Sequence, residues 1–183
     1  MPFSFIGYLV AFLFIMESCE NDIAIVNAIS HTNSGPVMSA KNIEVVFSDS
    51  GRIQAKVTGI LMNRYTTPEP YMEFPRGFKI SIFDSVLRTS TTICANYGIR
   101  KEYSRVMEAK GNVVVRNEQK KQQLNTEELT WNENRRMIFT SEPVKITTLD
   151  KIVFGKGLRS NESFSDYTIL QVYGQMMVKK DSI

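Results

Sequence analysis

The chain has 183 residues, of which 43% are hydrophobic and 22% charged, so it can bury the core of one domain and is not intrinsically disordered. Its formal net charge of +3 is spread along the chain and is too small to indicate nucleic-acid binding. The two cysteines, Cys19 and Cys94, and the single histidine, His31, form no zinc-ligand or catalytic pattern.

A short apolar run, PFSFIGYLVAFLFIM, occupies residues 2–16 and is followed by Cys19. It is shorter than the roughly 20 residues that a spanning helix needs, and it has the length of a secretory signal core. A cysteine behind a small residue and such a run resembles a bacterial lipoprotein cleavage site, so we expect residues 1–18 to be a signal peptide and Cys19 to be lipidated. The lack of a basic residue before the run, together with Glu17, leaves an uncleaved N-terminal anchor as the alternative. Either way, the body is predicted to lie outside the cytoplasm, tethered to a membrane.

The rest of the chain divides into a linker, a β-rich body and a tail. Residues 19–41 are mixed and turn-rich, which predicts a linker, and residues 176–183 are predicted to be a tail. Between them, residues 42–175 show apolar and polar residues in alternation, as in FKISIF and GNVVVRN, with turn residues between the segments. This pattern predicts at least eight mainly antiparallel strands, no helix longer than two turns, and an all-β sandwich or jelly roll.

One face of the predicted sheet is apolar, because residues of one parity in each strand are hydrophobic. Tyr97 continues the alternation of Ile93 and Ala95, Trp131 is expected in the core, and Cys94 is expected to be a buried free thiol. The inward-facing set consists of Ile53, Ala55, Val57, Phe78, Ile80, Ile82, Ile93, Ala95, Met107, Val113, Val115, Val144 and Ile146.

The short motifs that could indicate nucleotide binding or catalysis do not meet the requirements of those functions. FGKGL, at residues 154–158, lacks the spacing and the Ser or Thr of a P-loop and predicts a strand bulge or bend. Glu127 and Glu128 are adjacent on a predicted strand, so they should face opposite sides and cannot act as a catalytic pair. Asn161 begins an NES glycosylation acceptor, a weak signal. The sequence therefore predicts no enzyme, no metal site and no cofactor.

Five segments, in this order along residues 40–172, resemble the LptC family, the membrane-tethered periplasmic component of the lipopolysaccharide export system. They are FSDSGRIQAKVTGILMNRY, YMEFPRGFKISIFD, AKGNVVVRN, LNTEELTWNENRRMIFTSEPVKI and GKGLRSN. The soluble bridge protein LptA and the N-terminal domain of LptD share similar strand segments. The predicted membrane attachment favours the LptC role.

This resemblance implies a twisted, partly open β-jelly roll of the LptA type, whose apolar inner face forms a groove. The inward-facing set would line the groove and bind the acyl chains of lipid A. The chain would accept lipopolysaccharide from inner-membrane ABC transporter subunits and pass it to an LptA-like bridge protein, on the periplasmic side of the inner membrane. Unpaired sheet edges would join the neighbouring jelly rolls, and the transporter would consume the ATP.

Two other functions are compatible with the residues. One is an adaptor lipoprotein whose interior is a closed β core and whose sheet edges recruit partners. The other is an extracytoplasmic carbohydrate-binding or hydrolase-like β-sandwich, which would need converging carboxylates or exposed aromatic residues. A closed core and a lipid groove both require Val, Ile and Phe. The sequence therefore does not distinguish a lipid-transfer module from an adaptor lipoprotein.

Overall fold

The computed structural model describes residues 35–66 and 68–177, and within these ranges every regular element is a β-strand. The prediction of at least eight antiparallel strands without a long helix is thereby confirmed for the described residues. The first strand begins inside the predicted linker, and the last ends two residues beyond the predicted body. The eleven strands are β1 (Met38–Asp49), β2 (Arg52–Tyr65), β3 (Tyr71–Phe74), β4 (Phe78–Phe83), β5 (Thr89–Ala95), β6 (Tyr97–Lys101), β7 (Val106–Asn117), β8 (Gln122–Asn132), β9 (Met137–Thr147), β10 (Lys151–Asn161) and β11 (Tyr167–Met177).

The strands form one antiparallel sheet with the topology of a simple meander. Strands β3 and β4 lie along the same neighbour, β2, and so behave as one interrupted strand. Strands β6 and β5 do the same along β7. Because β3 pairs with β6 and β4 with β5, these four segments are one hairpin broken in both arms. The edge strands of the sheet are β1 and β11.

A line of backbone irregularities crosses the sheet and divides the long strands into two parts. We call it the fold line, and it passes through residues 75–77, 96, 111–112, 127–128 and 157. Gly111 (φ 73°), Asn112 (φ 49°) and Gly157 (φ 73°) have positive φ angles, which glycine and asparagine tolerate best. Gly157 lies in FGKGL, where the register shift confirms the predicted bulge.

The sheet folds over along this line into two layers that face each other. The β3–β6 layer contains β3, β6 and the parts of the long strands next to them, and the β4–β5 layer contains β4, β5 and the remaining parts. One core cluster joins Phe74, Met107 and Leu158 of the first layer to Ile80 and Val115 of the second. A single antiparallel sheet folded in this way is a β-jelly roll, as predicted.

Tight turns close the outer ends of the strands. Ser50 (φ 50°) and Gly51 (φ 77°) form the predicted DSG turn, with the two positive φ angles of a type I′ hairpin. In the β4–β5 loop, the Asp84 carboxylate accepts hydrogen bonds from the backbone N–H groups of Val86 and Arg88. The bond from the Arg88 N–H is the main reason that the pKa of Asp84 is lowered.

Candidate functional site

Twelve of the thirteen residues predicted to face inward lie in the core. Each exposes 7% or less of its surface: Ala55, Val57, Phe78, Ile80, Ile82, Ile93, Ala95, Met107, Val113, Val115, Val144 and Ile146. The exception is Ile53, which is 39% exposed at the beginning of β2. The structure thus brings this set together on one face, and its role in lipid binding stays a prediction.

The same face contains apolar residues that the sequence reasoning did not assign to it. They are Met62, Phe74, Leu124, Ile138, Val153, Leu158 and Phe164. Ala109, in step with Met107, and Leu129, in step with Trp131, lie in the core as their alternation predicts, and so does Trp131. Leu124 alternates with polar neighbours, so its period-2 pattern could have identified it, whereas Ile138 lies between Met137 and Phe139 and shows no such pattern. Phe164 offered no such signal, because it lies in the polar segment NESFSD.

The layers part at a mouth, where the strand ends and loops of both layers meet away from the fold line. A cleft of about 1130 Å³ lies here. Ile53, Gln54 and Ile82 of the β4–β5 layer line one side of it, and Arg136 and Glu162 of the β3–β6 layer line the other. Apolar and charged side chains thus both line the mouth, and Ile53 is exposed because it lies on its rim.

A second cavity of about 310 Å³ adjoins the mouth, with Phe47, Ala55 and Trp131 among its lining residues. The Arg100 side chain, 11% exposed, reaches this cavity and donates from Nε to Glu133 Oε1 at 2.6 Å. The guanidinium also lies 4.8 Å from the centre of the Phe47 ring. The ion pair neutralises a buried charge, and the cation–π contact joins the two layers.

The outer face is polar and carries exposed ion pairs. Lys110 Nζ lies 3.2 Å from Glu128 Oε1, and both side chains are about half exposed. Glu127 is also exposed, and its carboxylate accepts a bond from the Asn112 N–H. The expectation that the two glutamates face opposite sides of the sheet is wrong, because the bulge of the fold line interrupts the alternation here.

Tyr97 also departs from its predicted position. The chain bends at Asn96, so Tyr97 does not continue the inward face of Ala95, and its hydroxyl donates to the Glu73 carboxylate at 2.9 Å. The Tyr65 hydroxyl donates to the same carboxylate at 3.2 Å. Burial, followed by the contact with Glu73, raises the pKa of Tyr97 to about 12.

Cys94 is a free, half-buried thiol on the outer face, opposite Lys79 in the neighbouring strand. It alternates with the inward-facing Ile93 and Ala95, so the expectation of a buried thiol is wrong. Burial raises the pKa of the thiol, although Lys79 and Arg116 act in the opposite direction. Cys19 and the predicted targeting segment lie outside the described residues.

Two further observations concern metal sites and membrane spans. Residues 35–66 and 68–177 contain no group of three or more His, Cys, Asp or Glu side chains placed to hold a metal ion. Over the same part of the chain, the search for a helix long and apolar enough to cross a membrane finds none.

The edge strands carry apolar residues that are less well covered than the core. Val45 and Phe47 of β1 are partly buried against the core cluster. On β11, Tyr167 and Ile169 are partly buried against the same cluster, whereas Val172, opposite Gly155, is 59% exposed. Other exposed apolar residues of β11 are Leu170, Tyr173, Met176 and Met177. The apolar interior therefore extends to both edges of the sheet.

Together these features define a β-jelly-roll module with a continuous apolar interior, a mouth between its layers and apolar edge strands. Residues 7–176 match the model of the family described as Lipopolysaccharide-assembly, LptC-related. The chain therefore belongs to the LptC family, whose members are components of lipopolysaccharide transport associated with the periplasm and the inner membrane. A search of curated proteins finds no match.

Proposed function

We propose that the chain accepts the acyl chains of lipopolysaccharide between its two layers, receiving them from an inner-membrane ABC transporter and passing them to an LptA-like bridge protein. The observation that carries the proposal is the continuity of the apolar inner face. This face runs across the whole meander, from Val45 in β1 to Ile169 in β11, and is partly accessible at both ends. The predicted N-terminal segment, with Cys19, would supply the membrane attachment.

Hydrophobic transfer provides the driving force for this binding. Each buried methylene group contributes about 0.8 kcal/mol, so an acyl chain of about twelve methylenes would gain about 10 kcal/mol in a dry interior. The charged sugar and phosphate groups would stay in water at the mouth. The interior is filled by the protein's own side chains, with Ile80 and Ile93 each 1% exposed. Acyl chains would therefore enter as the two layers move apart and exchange contacts with each other for contacts with lipid.

The edge strands would connect the chain to its neighbours. An edge strand presents backbone N–H and C=O groups that another strand can pair with. Pairing at β1 and at β11 would align the apolar interior of this jelly roll with those of the transporter subunits and of the bridge. The lipid could then move between similar surfaces without crossing water.

The adaptor function remains the second candidate, and one observation favours it. Val113, Val115, Leu124, Ile138 and Ile146 are each 0% exposed, which is the packing of a closed core. In that case the edge strands would recruit partners and no lipid would enter. The two functions differ in whether the interior ever contacts lipid.

Site-specific photocrosslinking separates the two. A photoreactive residue would replace Ile80, on the inner face, or Lys79, its exposed neighbour on the outer face, in membranes that contain the transporter. Lys79 is chosen as the control because it lies on the outer face. The exposed residue Gln54 of β2 would be unsuitable, because it lines the mouth. Transfer predicts ATP-dependent crosslinks to lipopolysaccharide from position 80 and none from position 79. Absence of crosslinks at position 80, or equal crosslinks from both positions, would reject the transfer function.

A further inference from the structure

We infer that the β10–β11 loop, residues 162–166, is a clasp that holds the two layers together at the mouth, and that its release admits acyl chains to the interior. This inference rests on the proposed function. The loop follows β10 in the β3–β6 layer and contacts the outer ends of β5 and β7 in the β4–β5 layer. It also lines the 1130 Å³ cleft of the mouth.

The innermost contact of the clasp is made by one backbone carbonyl. Thr91 Oγ1 and Asn117 Nδ2 both donate to the Ser163 carbonyl oxygen, each at 2.8 Å. The two donors lie directly opposite each other in the register of β5 and β7 and are 0% and 4% exposed. A cross-strand pair of one layer therefore bonds the loop of the other, in a place shielded from water where such bonds are stronger.

Phe164 inserts the clasp into the core. Its side chain is 0% exposed, belongs to the core cluster and stacks on Tyr167 with ring centres 5.2 Å apart. Its φ of 49° is a left-handed conformation that is unfavourable for a bulky residue. The burial of the ring thus maintains a strained backbone, and withdrawal of the ring would relieve that strain. Burial of the Phe164 ring favours the closed state, and the backbone strain offsets part of that preference. The free-energy difference between the closed and released states is therefore smaller than the burial alone would give.

The exposed side of the loop is also tied to the β4–β5 layer. Lys120 Nζ, in the β7–β8 loop, donates to the Ser165 carbonyl oxygen at 2.5 Å. Within the loop, the Asn161 side-chain oxygen accepts bonds from the backbone N–H groups of Ser165 and Asp166. Because these internal bonds do not depend on the other layer, the loop can leave it as a unit.

The clasp lies where its release would have the largest effect on the separation of the layers. The layers are continuous through the backbone of the strands at the fold line, whereas the clasp joins them at the mouth, far from that line. Withdrawing one aromatic ring and breaking three hydrogen bonds would free the loop from the β4–β5 layer. Once the cation–π contact between Arg100 and the Phe47 ring also parts, the layers could separate at the mouth while every strand pairing within each layer stays intact.

The test uses the full chain in detergent, with a photoreactive residue at Ile80 and purified lipopolysaccharide below saturation. Thr91→Val removes one inner bond at almost constant shape, and Lys120→Met removes the outer bond. Lys121→Met is the matched control, since Lys121 is the exposed neighbour of Lys120. Each clasp variant should raise the crosslink yield about fivefold, the factor by which one hydrogen bond shifts an equilibrium, and the control should leave it unchanged.

A second measurement needs no clasp variant. Hydrogen–deuterium exchange on the wild-type chain should show faster exchange in residues 162–166 when lipopolysaccharide is added, with the pairings at the fold line unchanged. Equal crosslink yields in the clasp and control variants, or a loop that stays protected while position 80 crosslinks, would overturn the clasp and leave the proposed function standing. No crosslink at position 80 in any variant, both here and in the ATP-dependent membrane assay, would overturn the proposed function itself.

Discussion

Replacement of Gly155 by alanine should destabilise the contact between β10 and the edge strand β11. An added Cβ would lie 2.3 Å from Ile169 Cγ2 and 2.6 Å from the carbonyl oxygen of Gln171. The second atom belongs to the backbone, so a side-chain rotation cannot relieve the overlap and β11 must shift. Overpacking of this kind costs about 1–3 kcal/mol. For a chain of this size, the melting temperature should fall by about 2–12 °C.

Gly174→Ala, on β11 itself, is the matched control. Its added Cβ would meet only Phe154, at 3.7 and 3.8 Å, which is ordinary van der Waals contact. We expect an unchanged or slightly higher melting temperature, because alanine reduces the entropy of the unfolded chain. Circular dichroism melting and urea titration of the detergent-solubilised chain measure both variants. Equal losses in the two variants, or no loss in Gly155→Ala, would refute the close approach of β10 and β11.

Two further predictions concern ionisable groups. Glu133→Ala should lower the free energy of unfolding by about 3–5 kcal/mol, because it leaves Arg100 buried and unpaired. Glu128→Ala removes an exposed ion pair and should lower it by less than about 1 kcal/mol. Equally small losses for the two variants in urea titration would mean that Arg100 is well solvated. The folded-state pKa of Tyr97 is raised from 10.0 to about 12, so its contribution to stability is complete below pH 10 and is lost as the pH rises through 12. Tyr97→Phe should reduce the fall in unfolding free energy across that interval, and an unchanged fall would contradict the assignment.

Sequence alternation predicted the inner face correctly where a strand runs straight, except for Ile53 at the rim of the mouth. Ile80 and Ile82 in β4, and Val144 and Ile146 in β9, are each buried as expected. In these segments the side chains alternate strictly, so apolar parity identifies the covered face. The DSG turn and the FGKGL bulge were also predictable, because a positive φ angle restricts the choice of residue.

The errors at the glutamate pair and at Tyr97 lie at the fold line, where local alternation stops being informative. A single extra residue in a strand turns every following side chain to the other face. In β8 the buried residues change parity, from Leu129 to Thr126, and between β5 and β6 the bend at Asn96 turns Tyr97 away from the core. Asparagine and glycine in mid-strand mark some of these positions, but only the pairing with neighbouring strands shows that they align across the sheet.

The proposed clasp is also the part of the site that was least predictable from the sequence. Its carbonyl acceptor, Ser163 O, is a backbone atom whose role depends on donors 46 and 72 residues away in the chain. The proposed groove would consist of many strands with similar apolar side chains, which would suit a lipid that must move on, because no strand would hold it much more tightly than the next. Under this proposal, control of lipid entry could not come from these similar strands. It would have to come from a contact made once, at the mouth, between parts of the chain that only the folded sheet brings together.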